Sequence, residues 1–260
     1  MPPSSSAYLL DLDGTLYAGG AAIPGAVGVL ERLRARGTPF RLVTNTTSRS
    51  RAMLVERLAG YGLAVAPEEI FTATLAGIEL LRASGHRRIA AFVPEGALAD
   101  MSALELCGGT SGRPGAPADV VVVGDLGERW TYALLQEAFE QLLSGAALLA
   151  LSRDRYFLQG ERLVLDAGPF VAALEYASSR TATVAGKPSA AYFAAAVRSL
   201  GLEPGAHVAM VGDDLWSDVE GAQRAGLQGW LVRTGKFREE ALRAGSVTPD
   251  RILGSVAELA

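Results

Sequence analysis

The chain has 260 residues, 49% hydrophobic and 20% charged, enough to bury a core without disulfides or structural zinc and too apolar for a disordered chain. Its 24 basic and 28 acidic residues leave a formal charge of −4 with no basic stripe, which argues against a nucleic-acid partner. One cysteine and two histidines exclude a disulfide framework and a Cys/His zinc site. The longest apolar stretches, such as 120–123 and 146–151, are far too short to cross a bilayer. The opening Met-Pro-Pro-Ser-Ser-Ser-Ala has no basic segment ahead of an apolar run, so the expectation is a cytoplasmic protein with no membrane partner.

In chain order, an apolar run at 8–10 stops at Asp11, a helical period covers 26–36, and a second run at 40–43 stops at Thr44. A helical pattern over 51–61 follows. The middle of the chain holds strands of its own at 89–93, 120–123 and 148–151, and helices at 75–84, 131–143 and 169–177. The Gly/Pro/Ser-rich stretch between Cys107 and Ala118 reads as an exposed, mobile loop. A run at 183–185 then leads into Gly186-Lys187-Pro188, and Pro188 and Ser189 open a helix over 190–200 that Gly201 closes. A run at 208–211 stops at Gly212, Ser217-x-x-Glu220 reads as a capping box for a helix over 219–225, and a run at 230–232 stops at Arg233. Continuous apolar strands alternating with helices predict an α/β fold with a parallel, Rossmann-like sheet covered on both faces. The division expected is a core domain of residues 1–75 and 180–260, interrupted by an inserted α/β unit of residues 76–179.

Open α/β sheets carry their sites at the carboxyl ends of the strands. Those ends supply Asp11-Leu12-Asp13-Gly14-Thr15, Thr44-Asn45-Thr46, Gly186-Lys187-Pro188 and Gly212-Asp213-Asp214, with Asp218 shortly after. Carboxylates, a hydroxyl, an amide and one ammonium group suit the holding of a phosphate together with a hard divalent cation. Mg²⁺ takes oxygen ligands and is commonly held by one or two carboxylates plus substrate phosphate; Asp11 and Asp213 offer those carboxylates. One carboxylate can then serve as nucleophile and form an aspartyl-phosphate. Asp13, two residues on, can protonate the leaving oxygen and later deprotonate water. Thr44 can hydrogen-bond the phosphoryl group with Asn45 and Thr46 beside it, while Lys187 neutralises charge.

Each residue also has a plainer reading. Asp-x-Asp-Gly is a common turn, Thr-Asn ahead of a helix is a common cap, and a single lysine is usually on the surface. Asp214 and Asp218 fit either a helix N-terminus or the surroundings of a metal. Lys187 and Lys236 are, however, the only lysines among 24 basic residues, and a compact ammonium is not interchangeable with a guanidinium at a tight site. Val123-Gly124-Asp125 imitates the fourth cluster but falls in the inserted unit and reads as a strand end there. A dinucleotide fold lacks its Gly-x-Gly-x-x-Gly, and a P-loop lacks its Gly-Lys-Ser/Thr. A signalling receiver would be about half this length and carry no insertion.

In this order, Asp11-Leu12-Asp13-Gly14-Thr15-Leu16-Tyr17, Thr44-Asn45, Gly186-Lys187-Pro188 and Gly212-Asp213-Asp214 resemble the four signature motifs of the haloacid dehalogenase superfamily. An insertion between the second and third resembles the class with the larger α/β (C2-type) cap, the NagD and 4-nitrophenyl phosphatase group. Gly168-Pro169-Phe170-Val171 and Gly221-Ala222-Gln223-Arg224-Ala225-Gly226 resemble its phospholysine/phosphohistidine/inorganic pyrophosphate phosphatase-like branch, and Arg233-Thr234-Gly235-Lys236 also fits the group. The resemblance implies Asp11 as nucleophile and Mg²⁺ ligand, Asp13 as general acid/base lending its backbone carbonyl to the metal, and Asp213 as the other metal carboxylate. It further implies Thr44 and Lys187 as phosphate ligands, a small phosphorylated substrate, and a homodimer formed through the cap. Phosphomutase or pyrophosphatase chemistry and non-catalytic phospho-ligand binding are the alternatives on the same scaffold. Many members carry an Ala-Thr-Asn-x-Asp-like stretch where this chain reads Leu151-Ser152-Arg153-Asp154-Arg155-Tyr156, so their specificity residues do not carry over.

Overall fold

Every apolar run read from the sequence becomes a strand, with ends within two residues of those expected. The computed structural model describes residues 6–112, 116–159, 162–202 and 207–259. The first five residues of the opening segment and residues 113–115 of the glycine-rich stretch lie outside them. No described helix is long and apolar enough to cross a membrane.

The described chain divides into two compact units. The first comprises residues 1–44, 54–71 and 187–260. Its six-stranded sheet runs in the order Arg251–Leu253, Gln228–Val232, Val208–Gly212, Ala7–Asp11, Phe40–Thr44, Ile70–Thr72. The pairings from Arg251–Leu253 across to Phe40–Thr44 are parallel. Ala7–Asp11 is buried along its whole length, as a strand covered on both faces must be. Leu10, Leu42, Val211 and Trp230 pack on one side with Leu30 and Leu33 of the helix Ala26–Ala35 and Leu54 and Leu58 of Arg51–Gly60. Leu231 faces the other way, against Leu215, Val219 and Val247. The register sets Asp11 beside Val43 and Gly212 beside Leu231, so Asp11, Thr44 and Gly212 finish their strands at one edge of the sheet.

The second unit comprises residues 45–53 and 72–186. Its five-stranded parallel sheet has the order Thr183–Val184, Ala147–Ala150, Val120–Val123, Ile89–Phe92, Leu106–Gly109. Phe92, Val121, Leu148, Ala138 and Leu174 form its core. Trp130 stacks with Phe92 and Phe170, ring centroids 6.0 and 5.2 Å away. A separate antiparallel hairpin, Tyr156–Gln159 with Arg162–Leu165, exposes Tyr156, Leu163 and Leu165.

Four local readings change. Residues 45–53 cluster with the second unit because Thr47 Oγ1 accepts from the Asp125 N–H and Asp100 accepts from the Arg51 N–H. The run at 183–185 belongs to the second unit's sheet, so three of the four expected strand ends share one sheet. Cys107, read as the start of a loop, is buried on the strand Leu106–Gly109, whose Gly109 N–H donates to Glu137. Asp214, not Ser217, caps the segment after the fourth cluster: its side chain accepts from Trp216 and Ser217 N–H groups, and the chain runs as a π-helical turn Leu215–Glu220 before Gly221–Arg224. Asp214 wins because its carboxylate stands right where the strand ends, and two N–H groups reach it.

Candidate active site

Strand Ala7–Asp11 delivers the Asp11 carboxylate into the unit's interior, where its side chain is 9% exposed. Lys187 enters from the segment before Ser189, which accepts from the Tyr192 N–H and caps the helix Ala190–Ser199. The Lys187 ammonium, 4% exposed, donates to Asp11 Oδ1 and to Asp218 Oδ1, both at 2.6 Å. Asp218 sits on the π-helical turn, a wide turn that often marks a functional site. Its second oxygen accepts from the Asp214 N–H at 3.1 Å. Gly212 is required by this approach: a Cβ there would stand 2.1 Å from Asp218 Oδ2. Asp213, buried, completes the group, and Asp11, Asp213 and Asp218 each offer a carboxylate oxygen within 4.8 Å of the others.

The electrostatics follow from crowding charge in a dry place. Burial, and then the charges of Asp218 and Asp213, hold the Asp11 pKa well above the usual carboxylate range, with Lys187 pulling against them. Asp213 is pushed up to about 7 by burial and by Asp218, against the Lys236 N–H and ammonium. Burial would lower the Lys187 pKa, but Asp11 and Asp218 outweigh it and raise it well above its normal value, so this ammonium stays charged. Asp214 shows the opposite balance to Asp213: burial is outweighed by Lys236 and by the Ser217 and Trp216 N–H groups, and its pKa is lowered. Ionised together, three carboxylates against the Lys187 ammonium would leave surplus negative charge in the cluster, the charge that burial resists. An oxygen-only donor set with surplus negative charge fits a hard divalent cation and offers nothing to a soft one.

The remaining sequence candidates divide between the two units. Thr44, buried, ends the neighbouring strand, and its backbone is gripped by Tyr192, whose hydroxyl accepts from the Thr44 N–H at 3.0 Å and reaches the Phe71 carbonyl at 3.1 Å. Tyr192 is fully buried, and burial raises its pKa, so it is a neutral hydroxyl. Asp13 is exposed and bridges to Tyr17 across the turn that follows the first strand. Asp214 pairs with Lys236 Nζ at 3.3 Å while capping the π-helical turn. Asn45 and Thr46 are members of the second unit: the Asn45 amide donates to Asp154 at 3.1 Å, and Thr46 Oγ1 lies 3.2 Å from Ser48 Oγ. Arg153 pairs with Glu175 in that same unit.

One contributor escaped the sequence reading, and two were read only in part. Tyr192 has no signal beyond the apolar pattern of its helix, since its partners are backbone atoms. Asp218, read as part of the metal's surroundings, is also the second partner of Lys187, with a carboxylate oxygen within 4.8 Å of those of Asp11 and Asp213. Lys236 carried one signal, the scarcity of lysine, and its backbone N–H meets Asp213 at 2.6 Å.

Known proteins resemble this chain in sequence and fold. The family model described as haloacid dehalogenase-like hydrolase matches residues 8–107, and a second, HAD-hydrolase-like, matches 184–259. The chain is 43% identical to the bovine (Bos taurus) haloacid dehalogenase-like hydrolase domain-containing protein 2, over 89% of this chain and 85% of that one. It is 35% identical to the phospholysine phosphohistidine inorganic pyrophosphate phosphatase of Homo sapiens, over 96% of this chain and 91% of that one. The solved 4-nitrophenylphosphatase of Thermotoga maritima superposes with a TM-score of 0.87 at 28% identity, covering 98% of this chain and 96% of the other.

Proposed function

We propose, for a chain that belongs to the haloacid dehalogenase-like hydrolases and is a NagD-like phosphatase among them, that Asp11 takes the phosphoryl group of a small phosphorylated metabolite in an Mg²⁺-dependent reaction. The observation that carries this reading is the buried cluster itself: a lysine shared by Asp11 and Asp218, with Asp213 beside them, at the carboxyl edge of a parallel sheet.

In this mechanism Asp11 attacks phosphorus, the P–O bond to the leaving group breaks, and Asp13 supplies the leaving oxygen with its proton. Asp13, now a carboxylate, takes a proton from water, and the resulting hydroxide displaces Asp11 from phosphorus to release phosphate. Exposure at the turn gives Asp13 access to the leaving group, while burial keeps Asp11 away from bulk water. Asp11 must be ionised to attack, although burial and its acidic neighbours favour its protonated form. Lys187 supplies part of the opposing charge. Mg²⁺, held by Asp11, the Asp13 carbonyl and Asp213 with Asp214 and Asp218 behind them, would supply the rest and neutralise phosphoryl oxygens when bound. Thr44, with Asn45 and Thr46 next along the chain, hydrogen-bonds the phosphoryl group, and Lys187 balances its charge. The second unit is proposed as the cap that selects the substrate.

The test is phosphate release from 4-nitrophenyl phosphate, pyrophosphate, sugar phosphates, nucleotides and pyridoxal phosphate, with and without Mg²⁺. Metal-dependent turnover that disappears in Asp11→Asn is expected. Turnover retained by that variant, or independent of metal, overturns the reading. A homodimer through the second unit is proposed on the exposed apolar hairpin side chains Tyr156, Leu163 and Leu165. Sedimentation of Leu163→Glu as a monomer beside a dimeric wild type supports it; a monomeric wild type refutes it.

A further inference from the structure

The segment after the strand Gln228–Val232 contributes no side chain to the chemistry described, yet its backbone meets Asp213 at two residues, Gly235 and Lys236. The Lys236 N–H donates to Asp213 Oδ2 at 2.6 Å. Gly235 stands so close that a Cβ on it would lie 1.9 Å from the same oxygen and 2.5 Å from the Gly14 Cα, at a φ of +57° that favours glycine. Beside it Gly14, φ +86°, presses equally near: a Cβ there would also lie 1.9 Å from Asp213 Oδ2 and 3.1 Å from the Gly235 Cα. Thr234 then fastens the two loops together, its hydroxyl donating to the Gly14 carbonyl at 2.5 Å. Lys236 adds its ammonium to Asp214, the residue that caps the π-helical turn carrying Asp218. One short segment therefore touches the loop of Asp13 and both acidic residues that follow Gly212.

A carboxylate is free to rotate unless something fixes it. Here one oxygen is enclosed by a backbone donor and two glycine backbones, which leaves Oδ1 as the atom open to a cation. We propose that Thr234-Gly235-Lys236 is a positioning segment that sets the rotation of Asp213 and ties the Asp13–Gly14 loop to it, so that the two loops meet a divalent cation preorganised. The inference rests on the reading of Asp213 as a metal ligand. Partners that orient a ligand in this way typically alter metal affinity about 10–100-fold when removed.

The experiment measures Mg²⁺ binding to the substrate-free full-length protein by calorimetry, and Mn²⁺ binding by its paramagnetic resonance signal, alongside the dependence of kcat on Mg²⁺ concentration. Thr234→Val removes the hydroxyl at nearly constant volume; Thr234→Ser keeps it. The expected result is a metal Kd about tenfold weaker in Thr234→Val and near wild type in Thr234→Ser, with KM for substrate at saturating Mg²⁺ little changed. Gly235→Ala, which drives a methyl against Asp213, is expected to weaken binding more. Should it fail to fold, the threonine pair still decides. Asp213→Asn separates the two layers of argument. If it binds metal as well as wild type does, the metal-ligand reading fails and the positioning role falls with it. If it loses metal while Thr234→Val and Gly235→Ala bind like wild type, the positioning role alone is overturned.

Discussion

Replacing Lys187 with methionine removes the one ammonium shared by Asp11 and Asp218 and puts an apolar chain of similar length in its place. The lysine is 4% exposed and its partners 9% and 1%, so solvent cannot reach in to compensate. Removing one member of a buried ion pair costs about 3–5 kcal/mol, because a charge is left buried without a partner. Here two partners are stranded beside a third carboxylate, all within 4.8 Å, so the upper part of that range is expected near pH 8. The sign with pH can be worked out. Asp11 already has a folded-state pKa raised above its unfolded value, and loss of Lys187 raises it further. A raised carboxylate destabilises the fold as pH climbs from the unfolded value, about 4, through the folded one, and is harmless below both. The penalty in Lys187→Met should therefore shrink at pH 5, where the carboxylates take up protons. A divalent cation substitutes for the missing charge, so Mg²⁺ should raise the stability of the variant more than that of wild type; about 2.7 kcal/mol corresponds to metal at 100 times its Kd. Urea denaturation at both pH values, with and without Mg²⁺, measures all of this. A loss below about 1 kcal/mol at pH 8, or a loss independent of pH, would refute the reasoning.

Three other outcomes follow from the same site. Asp13→Asn should slow turnover of alkyl phosphates far more than of 4-nitrophenyl phosphate, whose phenoxide leaves without a proton; equal losses count against the acid role. Because Asp213 holds its proton up to about pH 7, metal must displace that proton at lower pH. Calorimetric Mg²⁺ affinity should fall about tenfold per unit below that point, whereas a flat profile from pH 6 to 8 contradicts the assignment. Tyr192→Phe leaves the buried Thr44 N–H without its acceptor and should cost about 1–3 kcal/mol in chemical denaturation while raising KM; unchanged stability and kinetics would remove Tyr192 from the site.

Asp11, Thr44 and Gly212-Asp213 were legible because a fully buried strand is a continuous apolar run, and the polar residue that ends it marks the sheet edge. Lys187 was legible as a residue but not as to its sheet. A two-residue strand such as Thr183–Val184 carries no information about which sheet it will join. The capping of the fourth cluster was misplaced because Asp214 and Ser217 are both good capping residues, and the choice depends on where the strand releases the chain. Leu106–Gly109 hid behind its glycines, since Gly108 and Gly109 have the composition of a loop while their backbones still pair with Ile89–Phe92. Tyr192 meets backbone atoms, and a backbone partner leaves no trace in a sequence pattern; Thr234 and Gly235 stood in a stretch that fits the group, but nothing in that stretch revealed their contacts with Gly14 and Asp213.

The central claim is that Asp11 carries the phosphoryl group. Wild-type protein and Asp11→Asn, mixed with Mg²⁺ and a turned-over substrate, quenched in acid within the first turnover and digested, can be compared by mass spectrometry. The mechanism predicts one added phosphoryl mass on the wild-type peptide containing Asp11, lost on treatment with hydroxylamine, and none on the variant. Rapid turnover with that peptide never modified, or a variant that still turns over, would contradict it.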